Sequence, residues 1–252
     1  MEKKQKQKQN SAEKAKKTKQ VKVKIPFGRI DFVLLDLDGT LLDKYFDDYF
    51  WEHLVPERYA EAHNVTFGRA KEELLEMYRS HEATLNWTDL DFWSGQLGLD
   101  IPALKEQIKH LIEVHPHVEE FLETLRSRGK KVYLFTNAHY KAIEIKFKKT
   151  GLAKYFDHIV ASYGMGYPKE DIRFWEKAQD LTGFKKEGSL FIDDTESVLA
   201  TAAQFGIKYL LLKEKPASRE VKGRVRTSSP PTGKCGRFQS IKDFRELLDT
   251  LK

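Results

Sequence analysis

Phe32-Val33-Leu34-Leu35-Asp36-Leu37-Asp38-Gly39-Thr40-Leu41-Leu42 is the stretch on which the reading of this chain turns. Four apolar residues in succession, without the alternation of a half-exposed strand, predict a strand buried on both faces of a parallel sheet. Asp36 then emerges at the strand's carboxyl end, where open α/β sheets bind their ligands. Asp38 follows two residues later and points to the same side. Gly39 and Thr40 turn the chain sharply out of the sheet. Two carboxylates on one strand end are costly unless a cation or a proton separates their roles. Asp and Gly are also ordinary turn residues, so the stretch takes its meaning from the rest of the chain.

Residues 45–113 read as helical throughout. Phe46, Tyr49, Phe50, His53 and Leu54 recur at helical spacing, as do Leu74, Leu75, Met77 and Tyr78. A third pattern, Leu90, Phe92, Trp93 and Leu97, ends at Gly98, and a fourth starts near Pro102 and runs through Leu104, Ile108, Leu111 and Ile112. Four helices packed as a small bundle are therefore expected immediately after the first strand. Beyond them, a helix follows Pro116 and stops at Gly129. Further strands are expected at 131–135, 158–160, 189–192 and 209–212, with helices at about 139–149, 172–181 and 196–205 between them. Gly164-Met165-Gly166-Tyr167-Pro168 reads as a loop, 213–237 as a mobile loop, and Ile241, Phe244, Leu247 and Leu248 as a closing amphipathic helix. Strands alternating with helices imply a doubly wound parallel sheet, an α/β fold with right-handed crossovers.

The 252 residues, 40% apolar, suffice for one α/β domain and a smaller one. No apolar run approaches a membrane span, and the N-terminus lacks the apolar core of a signal peptide. Cys235 is the single cysteine, which excludes an internal disulfide and fits a reducing, cytoplasmic setting. The net charge of +6 is uneven: ten lysines against Glu2 and Glu13 put +8 on residues 1–24 and leave −2 for the rest. This Lys/Gln-rich tail lacks the apolar surface to fold and is expected to be disordered. Such a tail can make weak electrostatic contact with nucleic acid or anionic lipid. No aromatic residue interleaves its lysines to stack on bases, so a solvated extension without a partner is the expectation.

Three predicted strands end in polar signatures: Asp36 with Asp38, Thr136-Asn137, and Asp193-Asp194. Lys169 lies in the Gly/Pro loop after the third strand. Neighbouring strand ends of a parallel sheet converge on one crevice, and carboxylates, a hydroxyl, an amide and an ammonium together suit a hard cation and a phosphate. In this order the four segments resemble the motifs of the haloacid dehalogenase-like phosphohydrolases. The resemblance implies Asp36 as the nucleophile that takes the phosphoryl group as an aspartyl-phosphate. It implies Asp38 as the general acid that protonates the leaving oxygen and then the base that activates water. Mg²⁺ would be held by the side chain of Asp36, the backbone carbonyl of Asp38 and Asp194, with Asp193 a direct or water-mediated partner. Thr136 and Asn137 would bind phosphate oxygens, and Lys169 would offset the charge of nucleophile and phosphoryl group. The acid at Asp38 separates phosphatases from dehalogenases, which lack it, and from transport ATPases, which place a Thr there. Other accounts stay open for some positions. Asn137 could cap the helix near His139, Thr195 could cap the next one, and His115 and His117 read as exposed linker residues. Cys235 has no His nearby in sequence that would activate it, so a nucleophilic role is not expected.

The resemblance extends beyond the superfamily motifs to the bacterial GMP/IMP nucleotidases, through Asp43 to Trp51, Thr84-Leu85-Asn86-Trp87, the run WSGQLGLDI from Trp93, Thr136-Asn137-Ala138-His139 and Gly166 to Asp171. With the tail expected to be disordered over 1–27 on composition, the resemblance implies a catalytic core over 28–44 and 115–252, and a helical cap over 45–114 that closes over substrate. The implied activity is Mg²⁺-dependent hydrolysis of purine nucleoside monophosphates. A phosphatase for a sugar phosphate or phosphoglycolate is the alternative, and a scaffold binding nucleic acid through the tail a more distant one. The cap aromatics Phe46, Tyr49, Phe50, Trp51, Trp87, Phe92 and Trp93 offer stacking surfaces for a base, although most are expected in the cap core. Asp47, Asn86 and His139 are candidates for bonding base or ribose.

Overall fold

The computed structural model describes residues 24–82, 84–221 and 238–251, so the disorder expected of the N-terminal tail, and Cys235, lie outside the described residues. The strands are β1 (Phe32–Leu35), β2 (Lys131–Thr136), β3 (His158–Ala161), β4 (Ser189–Asp193), β5 (Tyr209–Lys213) and β6 (Gln239–Ile241). They form one parallel sheet in the order β3-β2-β1-β4-β5-β6. The winding reverses on either side of β1, which places the ligand crevice at its carboxyl end.

Between β1 and β2 the chain makes a helical excursion. Its first helix runs from α1 (Tyr45–Tyr49) through a π-helical turn (Phe50–Leu54) into α2 (Val55–His63). The others are α3 (Phe67–His81), α4 (Leu90–Leu97) and α5 (Ile101–Gln107), giving the four expected helices. Their starts are set by side chains that accept otherwise unpaired backbone N–H groups: Thr66 from Arg69, Asp89 from Asp91 and Phe92, and Asp100 from Ala103. Trp93 is buried at the centre and donates from Nε1 to the Trp87 carbonyl at 3.0 Å. The helices of the remaining body are α6 (Val118–Ser127), α7 (Tyr140–Thr150), α8 (Ser162–Met165), α9 (Ile172–Thr182), α10 (Glu196–Phe205) and α11 (Arg245–Leu251).

Successive residues of the central strands enter opposite cores. Val33, Leu35, Leu190 and Ile192 pack with α6, α7 and α11, whereas Leu34, Phe191, Tyr133 and Phe135 pack with α9 and α10. Both faces are covered, which is why β1 reads as an unbroken apolar run.

Four expectations need correcting. The sheet has a sixth strand, β6, which takes Ile241 out of the closing helix and pairs it with Lys213. The stretch 164–168 is not wholly loop, since α8 runs to Met165 before Gly166 turns out with positive φ. Of the supposed mobile loop, Val221 is buried and Glu214, Pro216 and Ala217 are half-buried, whereas Lys215, Ser218, Arg219 and Glu220 are exposed; 222–237 lie outside the described residues. The Pro216 carbonyl accepts from Lys44 N at 2.8 Å and from His115 Nε2 at 3.2 Å. His115 is therefore buried, its pKa lowered by that burial, and His117 pairs through Nδ1 with Asp243 at 2.7 Å. Neither is an exposed linker residue; each is held by a segment about a hundred or more positions away.

The excursion leaves and returns side by side: Leu42 bridges Val114, and Asp43 N donates to the Glu113 carbonyl at 2.9 Å. Gly39 makes the turn before it with φ +88°, and a Cβ there would collide with the Asp194 carboxylate and Pro216. Gly39→Ala is expected to cost about 1–3 kcal/mol from the backbone alone and to displace Asp194. Urea denaturation should show the lowered midpoint, and activity measurements a loss of turnover larger than the stability change explains.

Candidate active site

In the sheet register Leu35 lies between Leu134 and Ile192, so the residues that follow on β1, β2 and β4 reach the same edge. Asp36, Thr136 and Asp193 meet there, all buried. Lys169, in the loop between α8 and α9, spans two of them. Its Nζ lies 2.6 Å from Asp36 Oδ1 and 2.7 Å from Asp193 Oδ2. Burial pushes the Asp36 carboxyl up to about 6 against the pull of Lys169. Burial would lower the Lys169 ammonium, but Asp193 and Asp36 together hold it above its usual range.

The lysine loop is itself fastened. Asn137 Oδ1 accepts from Lys169 N at 2.9 Å, and its Nδ2 donates to Glu170 at 2.9 Å. Trp175 Nε1 donates to the Lys169 carbonyl at 2.8 Å. Asn137 thus serves the lysine loop and does not cap α7, whose preceding residue is His139. Nor does the Thr195 side chain cap α10; its N–H donates to Asp193 Oδ1 at 2.8 Å and its hydroxyl contacts Asp194.

Asp36, Asp193 and Asp194 each offer a carboxylate oxygen, all within 4.8 Å of one another. Asp36 Oδ2 is buried without a hydrogen-bond partner. Burial, reinforced by Asp193 and Asp36, raises the Asp194 carboxyl well above the ordinary range. Crowded carboxylate oxygens short of positive charge are a donor set that fits a hard divalent cation. Both Asp193 oxygens are occupied, by Lys169 and by Thr195 N–H, which leaves Asp36 and Asp194 as the carboxylates open to an ion.

Asp38 is held apart by a second, separate lysine. Its Oδ2 lies 2.7 Å from Lys146 Nζ on α7, and the same ammonium lies 2.7 Å from Asp47 Oδ2 on α1. Asp47 Oδ1 in turn accepts from Lys105 of α5 at 2.6 Å. Acid and base alternate along this chain from the β1 turn to the helical excursion, and both lysines are almost fully buried. Burial pushes Asp38 up to about 6, with Lys146 opposing. Burial would also raise Asp47, but Lys105 and Lys146 win and hold it far below the carboxylate range. The Lys105 ammonium also sits 4.3 Å from the Phe50 ring centre, a cation–π contact. Neither lysine is evident in the sequence. The only trace is that Lys146 falls four residues after buried Ala142, on the inward side of α7.

A cavity of about 350 Å³ runs from these acids into the helical excursion, within the range of small-molecule sites. Trp51, Tyr78, Trp87 and Trp93 wall its far side, whereas Phe46, Phe50, Tyr49 and Phe92 do not line it. Asn86 is exposed and off the cavity, and Asp47 is committed to its lysines. His139 lines the cavity, buried, with neither ring nitrogen hydrogen-bonded and Asp89 at 3.5 Å.

A parallel sheet presenting an acid pair after its central strand, a threonine, a lysine and a second acid pair at one edge defines a hydrolase of the doubly wound α/β class. Residues 30–206 match the haloacid dehalogenase-like hydrolase family. The chain is 40% identical to the GMP/IMP nucleotidase YrfG of Escherichia coli (strain K12) over 229 residues, 91% of this chain and 99% of that one. It is 24% identical to the pyrophosphatase PpaX of Bacillus cereus (strain AH820) over 71% of this chain and 82% of the relative. Among solved structures, a HAD phosphatase from Thermococcus onnurineus superposes with a TM-score of 0.71 at 22% identity, covering 88% of this chain and 98% of that one. The protein belongs to the haloacid dehalogenase-like hydrolase family, and within it is a phosphoric monoester hydrolase. Among the described residues no helix is long and apolar enough to cross a membrane.

Lys146→Met removes the cation that fixes Asp38 while keeping the aliphatic stem. It should lower kcat by about tenfold to a hundredfold and change KM by much less. Steady-state kinetics on any hydrolysed ester, with Lys146→Arg as a partial rescue, measures this.

Proposed function

We propose that the protein is a Mg²⁺-dependent 5′-nucleotidase that hydrolyses purine nucleoside monophosphates such as GMP and IMP through an aspartyl-phosphate. The observation that carries the reading is one continuous cavity joining the Asp36 edge to an aromatic wall in the helical excursion. Identity of 40% along almost the whole of a relative named a GMP/IMP nucleotidase supports it.

In this reading Asp36 attacks the phosphorus through a carboxylate oxygen, and the bond from phosphorus to the 5′ oxygen breaks. Its Oδ1 is fixed by Lys169, so the nucleophile is aimed before substrate arrives. Asp38 delivers a proton to the departing nucleoside oxygen; burial raises its carboxyl to about 6, nearer neutrality than a free carboxylate, which favours holding that proton. As a carboxylate it then takes a proton from water, whose oxygen attacks the phosphorus, releasing phosphate and restoring Asp36. Thr136, the Asn137 backbone amide and Lys169 bind the phosphate oxygens and counter their charge. Mg²⁺, held by Asp36, Asp194 and the Asp38 carbonyl with Asp193 behind them, would neutralise charge between nucleophile and phosphate. The cap excludes water from this exchange.

Phosphate release from a panel of nucleoside monophosphates, sugar phosphates and phosphoglycolate, with and without Mg²⁺, tests the reading. The expected result is preferential, Mg²⁺-dependent hydrolysis of GMP and IMP that EDTA abolishes. A sugar phosphate turned over far better than GMP would sink the nucleotide assignment. Asp36→Asn is expected to reduce turnover by at least about four orders of magnitude, and full activity in that variant would refute the covalent step.

A further inference from the structure

The nucleotidase reading leaves open which groups distinguish one base from another. Among the polar side chains on the cavity wall within the helical excursion are Glu52, Lys71 and Tyr78. Lys71, Leu74, Leu75 and Tyr78 recur at i, i+3, i+4 and i+7 on α3 and form one stripe along the cavity. Facing it, the π-helical turn, wound wider than an α-helix, lets the consecutive residues Trp51 and Glu52 both line the same space. Tyr78 is 7% exposed, and its ring meets Trp51, Trp87 and Trp93 edge-on at 5.8, 6.0 and 5.1 Å. Its hydroxyl is buried without a hydrogen-bond partner. Buried hydroxyls are ordinarily satisfied, and one left without a partner on a cavity wall points to a polar group supplied by a ligand. Burial holds the phenol in its protonated form, so it is available as a donor.

A carboxylate, an ammonium and a phenol on the walls of an aromatic slot match one kind of base edge. A 6-oxopurine presents an N1–H donor beside an O6 acceptor, with N7 as a further acceptor. A 6-aminopurine reverses the pair, turning a lone pair at N1 and an N–H at position 6 toward the same groups. We propose that Glu52, Lys71 and Tyr78 read the 6-oxopurine edge: Glu52 accepts from N1–H, while Lys71 and Tyr78 donate to O6 and N7, with the tryptophans confining the ring. The proposal rests on the nucleotidase reading and adds to it the groups that select the base. A 6-aminopurine leaves Glu52 against a lone pair, and mispaired polar groups of this kind discriminate more strongly than a missing apolar contact.

Four substrates assayed on the wild type and on Glu52→Gln, Lys71→Met and Tyr78→Phe test it: GMP, IMP, AMP and p-nitrophenyl phosphate, which has no purine. Glu52→Gln is expected to lower kcat/KM for GMP and IMP by about tenfold or more, to narrow the gap to AMP, and to leave p-nitrophenyl phosphate within about twofold. Tyr78→Phe and Lys71→Met should show the same pattern with smaller losses. Equal losses on all four substrates would show a merely structural role and overturn the proposal. Unchanged GMP and IMP kinetics in all three variants would overturn it while leaving the nucleotidase reading intact. Wild-type protein that hydrolyses p-nitrophenyl phosphate but not GMP overturns both, and that result is visible before any variant is made.

Discussion

One ammonium makes this strand edge tenable. The order of the sheet brings the carboxyl ends of β1 and β4 side by side, and with them Asp36, Asp193 and Asp194, in a place sheltered from water. Like charges at that separation resist ionisation together. Lys169 is shared between Asp36 and Asp193, so one cation relieves two acids and orients both. Its own position is fixed through backbone groups: its N–H by Asn137 and its carbonyl by Trp175. The side chain then does not have to search for its partners, which limits the entropy lost in placing a long, flexible residue.

The second lysine works differently, because it crosses between parts of the chain. Lys146 joins Asp38, next to the central strand, to Asp47 on the first helix of the excursion, and Asp47 draws in Lys105 from α5. Charges alternate along the series, so each is stabilised by its neighbours and the loss of one exposes the next as an unpaired buried charge. Asp38 and the excursion are thereby mechanically and electrostatically coupled. A displacement of α1 is felt at Asp38 through a single intervening ammonium.

Much of the fold and part of the site were legible in the sequence, for local reasons. β1 is a run of apolar residues that must face two cores, and α10 lies between a polar strand end and Gly206, so its span is read directly from those signals. Asp36, Thr136, Lys169 and Asp193 could be named because each sits at a strand end or in a loop marked by Gly and Pro, and parallel topology alone brings such places together. Lys105 and Lys146 could not, since their burial depends on Asp47 at separations of 58 and 99 residues. A lysine among lysines gives no local sign that it faces inward. β6 has three residues and one buried apolar side chain, too short for any period to appear. His115 looked like a solvated linker because its partner, Pro216, lies 101 positions downstream in a stretch with the composition of a loop.

The paired backbone at Leu42–Asp43 and Glu113–Val114 has a consequence for how this architecture can vary. The chain departs from the sheet and re-enters it through one doorway, whose two jambs are hydrogen-bonded together and pinned by the Pro216 carbonyl. Seen from the sheet, everything between is a closed loop, and lengthening a closed loop changes its closure entropy only logarithmically. Helices can be added, lost or replaced beyond the doorway while Asp36 keeps its place to within the stiffness of β1. What such variation must preserve is the carboxylate that Asp47 offers Lys146, because the same ammonium holds Asp38 at the reacting edge.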